Sequence, residues 1–117
     1  IIANGDTVCL ALQAAEALAA QGVQARVLDM HTIKPLDNQA VAACIDEIGR
    51  IITVEDHNIN GGLGCYISRL ACENQPAKVT RIALTTYGES GPAKELADAY
   101  GFSPEDIAAK VKETLKK

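Results

Sequence analysis

The sequence is short of positive charge. Eleven Lys and Arg stand against fifteen Asp and Glu, a formal net charge of -4 over 117 residues. Proteins that grip nucleic acid or anionic membranes through clustered Lys and Arg show the opposite balance, so neither partner is expected. A long apolar run is missing too. The most apolar stretch is broken by Gln13 and Glu16, and a membrane-spanning helix needs about 20 apolar residues. No secretory signal pattern is visible. Cys-x-x-Cys is absent: Cys9, Cys44, Cys65 and Cys72 are scattered through apolar segments with helical patterns. That excludes the usual zinc and thioredoxin-type spacings and leaves small buried thiols in a reducing, cytoplasmic compartment as the expectation. Internal repeats, low-complexity tracts and linkers are absent as well, which leaves one domain over residues 1–117.

What is present is alternation. Four β-rich runs, Ile1 to Ala3, Ala25 to Met30, Arg50 to Glu55 and Lys78 to Leu84, are separated by helical patterns. That order predicts a mainly parallel sheet flanked by helices, a three-layer α/β/α sandwich. Val41, Cys44, Ile45 and Ile48 fall on one helical face, with Asp37 as the cap before them and Gly49 as the stop behind. The first helix, Thr7 to Gln21, is Ala-rich and apolar nearly all round, which predicts extensive burial before Gly22 ends it. A fourth helix starts near Ser90-Gly91-Pro92 and ends at Gly101. The last begins "SPED", with Ser103 as cap, Pro104 in the first turn, Glu105 and Asp106 facing the helix dipole, and Ile107, Val111, Thr114 and Leu115 as the docking stripe.

In parallel sheets, ligands gather beyond the carboxyl ends of the strands, where strand order reverses. The loops of interest all follow strands: "NGDT", "HTIKPLD", "EDHNINGGLG" and "TTYGESG". The glycines of the third loop open a helix whose free amides could bind an anion. A dinucleotide fingerprint would need a third glycine, a shorter loop and an acid at the end of the next strand; none is present, and a P-loop Lys-Ser/Thr is missing too. A tight strand-to-helix turn is the preferred reading, with a phosphate site as its rival. His57 follows Glu55 and Asp56, neighbours that could poise a base, but no nucleophile is placed beside it by spacing, so a solvated or interdomain side chain is preferred. His31 and Lys34 are read as surface residues, and two isolated histidines do not make a metal site.

Taken in order, "IIANGDTV", "VLDMHTIKPLD", "RIITVEDHNINGGLG" and "YGESGPAKELADAYG" resemble the C-terminal domain of transketolase. The nearest likeness is to the split enzymes whose C-terminal subunit ends in such a domain. The resemblance covers nearly the whole chain. Related domains in 1-deoxyxylulose-5-phosphate synthase and in the β subunits of 2-oxo-acid dehydrogenases share the "PLD" and the glycine cluster but usually differ ahead of the glycines, where this chain has His57.

The resemblance implies a fold of five strands whose first, antiparallel member precedes Ile1, so that the four strands present run in the order 2-1-3-4. Such an enzyme transfers two-carbon ketol units between sugar phosphates, as in the pentose phosphate pathway. Thiamine diphosphate and Mg²⁺ would lie between a pyrophosphate and a pyrimidine domain across a homodimer interface. The pyrophosphate domain's G-D-G…N-N metal motif is absent from this chain, and the glutamate that activates the cofactor belongs to another domain. The resemblance therefore implies no catalytic, cofactor-binding or metal residue here, a role in dimer and interdomain packing, and an isolated chain, part of a longer one, that is inactive. Asn4, Gly5, Asp6, His57, Gly61, Gly62 and Gly64 would face one another across the crevice as an interdomain or anion site. Two other readings stay open: the synthase and dehydrogenase relatives, and a stand-alone anion- or nucleotide-binding regulatory module.

Overall fold

The computed structural model describes residues 1–116. Strands β1 (Ile2–Ala3), β2 (Leu28–Asp29), β3 (Arg50–Asn58) and β4 (Lys78–Leu84) alternate with helices α1 (Thr7–Ala19), α2 (Asn38–Ile48) and α3 (Leu63–Glu73). Helices α4 (Ala93–Ala99) and α5 (Pro104–Lys116) follow β4. The sheet order is β2-β1-β3-β4 and every neighbouring pair is parallel, the order and direction expected.

Successive strand residues point to opposite faces, and two apolar clusters form accordingly. Ala3, Ile52, Val54 and Ile82 pack against α1 and α5 through Ala11, Ala14, Leu18, Ile107 and Val111. Ile2 and Ile51 pack on the other face against Val41, Cys44 and Ile45 of α2 and Leu63, Ile67 and Leu70 of α3. The sheet is thus the middle of three layers. Helix ends follow their sequence signals: Asp37 Oδ1 accepts from the Ala40 amide at 2.9 Å, and Gly49 closes α2 in the left-handed region at φ 71°. Ser103 Oγ accepts from the Asp106 amide at 3.1 Å.

Four expectations are corrected. Helix α1 is not buried nearly all round; Thr7, Ala11, Ala14 and Leu18 form one inward stripe, while Cys9 and Leu12 are exposed. Its outer face is largely alanine, which is small enough to stand in water at little cost. The thiols are not uniformly buried: Cys44 is, Cys65 is partly so, and Cys9 and Cys72 are exposed. Leu115 does not join Ile107, Val111 and Thr114 in the buried stripe of α5; it lies on the last turn, half exposed at the rim of an open cleft. Finally, β3 runs three residues beyond Glu55. The register passes from Val54↔Ile82 to Asn58↔Leu84, so Glu55, Asp56 and His57 together oppose the single Ala83. This irregularity re-aims the strand end, and the glycine loop starts from it.

Candidate functional site at the carboxyl edge of the sheet

Asn4, Gly5 and Asp6 leave β1 and lead into α1. The buried Thr7 hydroxyl ties this loop down: its oxygen lies 2.8 Å from the Asn4 carbonyl and 2.9 Å from the Val54 carbonyl, and its one proton serves either. Since Ala3 is in register with Val54, the first loop and the end of β3 meet at the same level of the sheet. The "NGDT" and "EDHNINGGLG" segments are therefore neighbours, as their place at the strand reversal required.

Glu55 decides what the glycines do. Ile51, Thr53 and Glu55 alternate onto the face of the sheet covered by α2 and α3, and Glu55 is 1% exposed. Its two carboxylate oxygens accept hydrogen bonds from the first amides of α3, Leu63 N–H at 2.6 Å and Gly64 N–H at 2.8 Å. These are short, charge-assisted bonds at the positive end of a helix dipole. A buried carboxylate without such donors would be strongly unfavourable. The anion at this helix terminus is thus the protein's own. Strand alternation carried the signal: an acid in the inward slot after Ile51 and Thr53 must find donors, and the following helix start offers them.

Gly62 and Gly64 are demanded by that contact rather than by backbone conformation. Gly62 has φ -88° and ψ -165°, open to any residue. A Cβ there would lie 2.1 Å from Glu55 Oε2; one on Gly64 would lie 2.7 Å from Arg81 Cδ and 2.8 Å from Thr53 Oγ1. Gly61 is different: at φ 89° it needs glycine for the turn itself, while a Cβ would meet open space. Both uses, the tight turn and the close approach, occur within this one loop.

His57 is exposed, and its Nδ1–H donates to the Asn58 carbonyl at 2.8 Å, which leaves Nε2 facing solvent. No hydrogen bond among the described residues joins it to Glu55 or Asp56. His31 is likewise exposed, with Nδ1 2.7 Å from Thr32 Oγ1. Asn58 Oδ1 accepts from the Asn60 amide at 2.9 Å, and Cys65 Sγ accepts from Gly61 N–H at 3.2 Å, so the loop is braced internally. Of the seven candidate residues, Gly62 and Gly64 are buried, Asn4 is partly so, and Gly5, Asp6, His57 and Gly61 are exposed.

A diphosphate does not fit this loop. The amides of Leu63 and Gly64 are occupied, and the negative charge of Glu55 already stands where a phosphate would go. Among the described residues, no group of three or more His, Cys, Asp or Glu is placed to hold a metal ion. An apolar cleft of about 370 Å³ lies instead at the opposite edge of the sheet, between Ile1, Val23, Ala25, Cys44, Ile48 and Leu115. None of the seven candidates lines it. The arrangement at the carboxyl edge holds a loop in place, with its carboxylate engaged and its imidazole turned to solvent.

The class defined by this architecture is a three-layer α/β/α domain with a parallel sheet and an internally capped glycine turn at its strand reversal. The family model described as transketolase, C-terminal domain, matches residues 1–107, and the chain belongs to that family. One of the two subunits that make up the apulose-4-phosphate transketolase of Phocaeicola vulgatus is 42% identical over 118 residues, covering 100% of this chain and 38% of that protein. Transketolase of Rattus norvegicus is 38% identical over 118 residues, covering 100% of this chain and 19% of that one. A solved structure of a split-gene transketolase, an inactive beta4 tetramer, superimposes with a TM-score of 0.92 at 34% identity, over 98% of this chain and 38% of the other. The chain thus spans less than two fifths of these relatives.

Proposed function

We propose that this chain is the non-catalytic C-terminal domain of a split-type transketolase-like enzyme. In this reading the parent enzyme moves two-carbon ketol units between sugar phosphates, with thiamine diphosphate and Mg²⁺ held by its pyrophosphate and pyrimidine domains. The domain's own work is to support interdomain packing and dimer assembly, and its glycine turn is architecture serving that edge. The observation that carries the reading is the whole-length match to subunits of split transketolases. The self-satisfied terminus of α3 supports the packing role. The sugar is the least constrained part, because relatives are named for apulose-4-phosphate and for 6-deoxy-6-sulfo-D-fructose.

The test uses the longer chain assembled with its partner subunit, thiamine diphosphate and Mg²⁺. Transfer of a ketol unit from a ketose phosphate to an aldose phosphate is the expected activity. Consumption of pyruvate without ketol transfer would move the chain to the synthase or dehydrogenase relatives.

A further inference from the structure

Tyr87 is 95% exposed, in a domain whose other exposed large apolar residues, Leu12, Ile48 and Leu115, each show about half of their surface. Its loop is anchored on both sides. The Ile59 amide donates to the Leu84 carbonyl at 2.7 Å, which ties the root of the loop to the glycine segment. Two residues after Tyr87, the Glu89 amide donates to the Tyr100 hydroxyl at 2.8 Å. The ring is therefore presented on a braced support at the carboxyl edge of the sheet. The surroundings carry a sign. Each strand is followed or ended by an exposed carboxylate: Asp6 for β1, Asp29 for β2, Asp56 for β3 and Glu89 for β4. None of these four is in an ion pair among the described residues, whereas Glu47, Glu73, Asp98 and Glu113 elsewhere are paired with Arg or Lys. The basic groups of the same strand ends and loops are Lys34, His31 and His57, so the edge is net negative.

We propose that this edge docks a Lys- and Arg-bearing surface of a neighbouring domain in the assembled enzyme, with Tyr87 as the anchor. This rests on the functional reading above. A tyrosine ring removes about 150–250 Å² from water when covered and takes a guanidinium on its face. Aromatic anchors of this kind carry much of the energy of protein interfaces. Unpaired carboxylates around the anchor select and orient a cationic partner. Lys- and Arg-rich surfaces are the complement of this edge.

The three tyrosines make an internal ruler, since Tyr66 and Tyr100 are partly buried in the domain itself. The longer chain in its assembled state is nitrated with tetranitromethane, and each tyrosine is followed by peptide mass spectrometry. With the edge free, Tyr87 is nitrated fastest of the three. With the edge docked, Tyr87 is nitrated more slowly than Tyr66 at low salt, and its rate rises severalfold between roughly 50 and 300 mM NaCl as the charges are screened. Asp56→Asn combined with Glu89→Gln raises the low-salt rate in the same way. Fastest labelling of Tyr87 at every salt concentration overturns the proposal. So does protection that neither salt nor the double variant changes. Ketol transfer measured on the same preparation reports separately on the functional reading, so the two can fail independently.

Discussion

Replacing Gly62 by alanine adds one carbon where the structure has no room for it. The new Cβ would lie 2.1 Å from Glu55 Oε2 and 2.7 Å from Glu55 Cδ, so the carboxylate has to leave. Leaving breaks its bonds to the Leu63 and Gly64 amides at 2.6 and 2.8 Å. Hydrogen bonds to a charged group are each worth about 1.5–3 kcal/mol. Water regains part of that as the side chain swings outward, which leaves an expected loss of about 3 kcal/mol. At about 4 °C per kcal/mol for a domain of this size, the melting temperature should fall by roughly 12 °C. Gly22→Ala is the control. Gly22 has φ +80° and nothing within 4 Å of the place a Cβ would take, so its alanine meets only backbone strain, about 1–2 kcal/mol. Thermal melts followed by circular dichroism should rank Gly62→Ala as the worse change although its φ is ordinary. In a Glu55→Ala background the Gly62→Ala cost should shrink to under about 1 kcal/mol, a coupling typical of residues in direct contact. Equal losses for the two glycine variants would refute the reasoning, as would an undiminished Gly62→Ala loss without Glu55.

Two further outcomes follow from the same region and from the thiols. Thr53 Oγ1 is the one buried side-chain oxygen or nitrogen without a partner among the described residues, so Thr53→Val should leave the melting temperature unchanged or raise it. Thr7→Val, which strips the buried hydroxyl serving the Asn4 and Val54 carbonyls, should cost about 1–2 kcal/mol in the same melts; equal effects of the two threonine changes would contradict the hydrogen-bond assignment. Maleimide labelling under native conditions should reach Cys9 and Cys72 first and Cys44 last, and rapid modification of Cys44 would place α2 wrongly.

The fold was legible because strand runs, helix caps and stops agreed with one another. Lys78 to Leu84 is β4 to the residue, and Asp37, Gly49 and Ser103 sit at helix ends as their chemistry required. The ends of β1 and β2 were less legible, because a two-residue ladder leaves little pattern beyond its partner's length. Burial of α1 was overestimated because alanine satisfies both a core and a surface. At the site, the glycines were visible but their reason was not. Sequence spacing offers φ and phosphate as explanations for glycine, while the true demand comes from Glu55 and Arg81, seven and seventeen residues from the glycines they crowd. The three-for-one opposition at Ala83 that extends β3 past Glu55 exists only once β3 and β4 are paired.

The central claim, that the glycine turn is occupied by the protein's own carboxylate and holds the domain rather than a cofactor, is met most directly by calorimetry. The 117-residue chain is titrated with thiamine diphosphate in the presence of Mg²⁺. Heats no larger than dilution are the predicted result; saturable binding in the micromolar range would contradict the account.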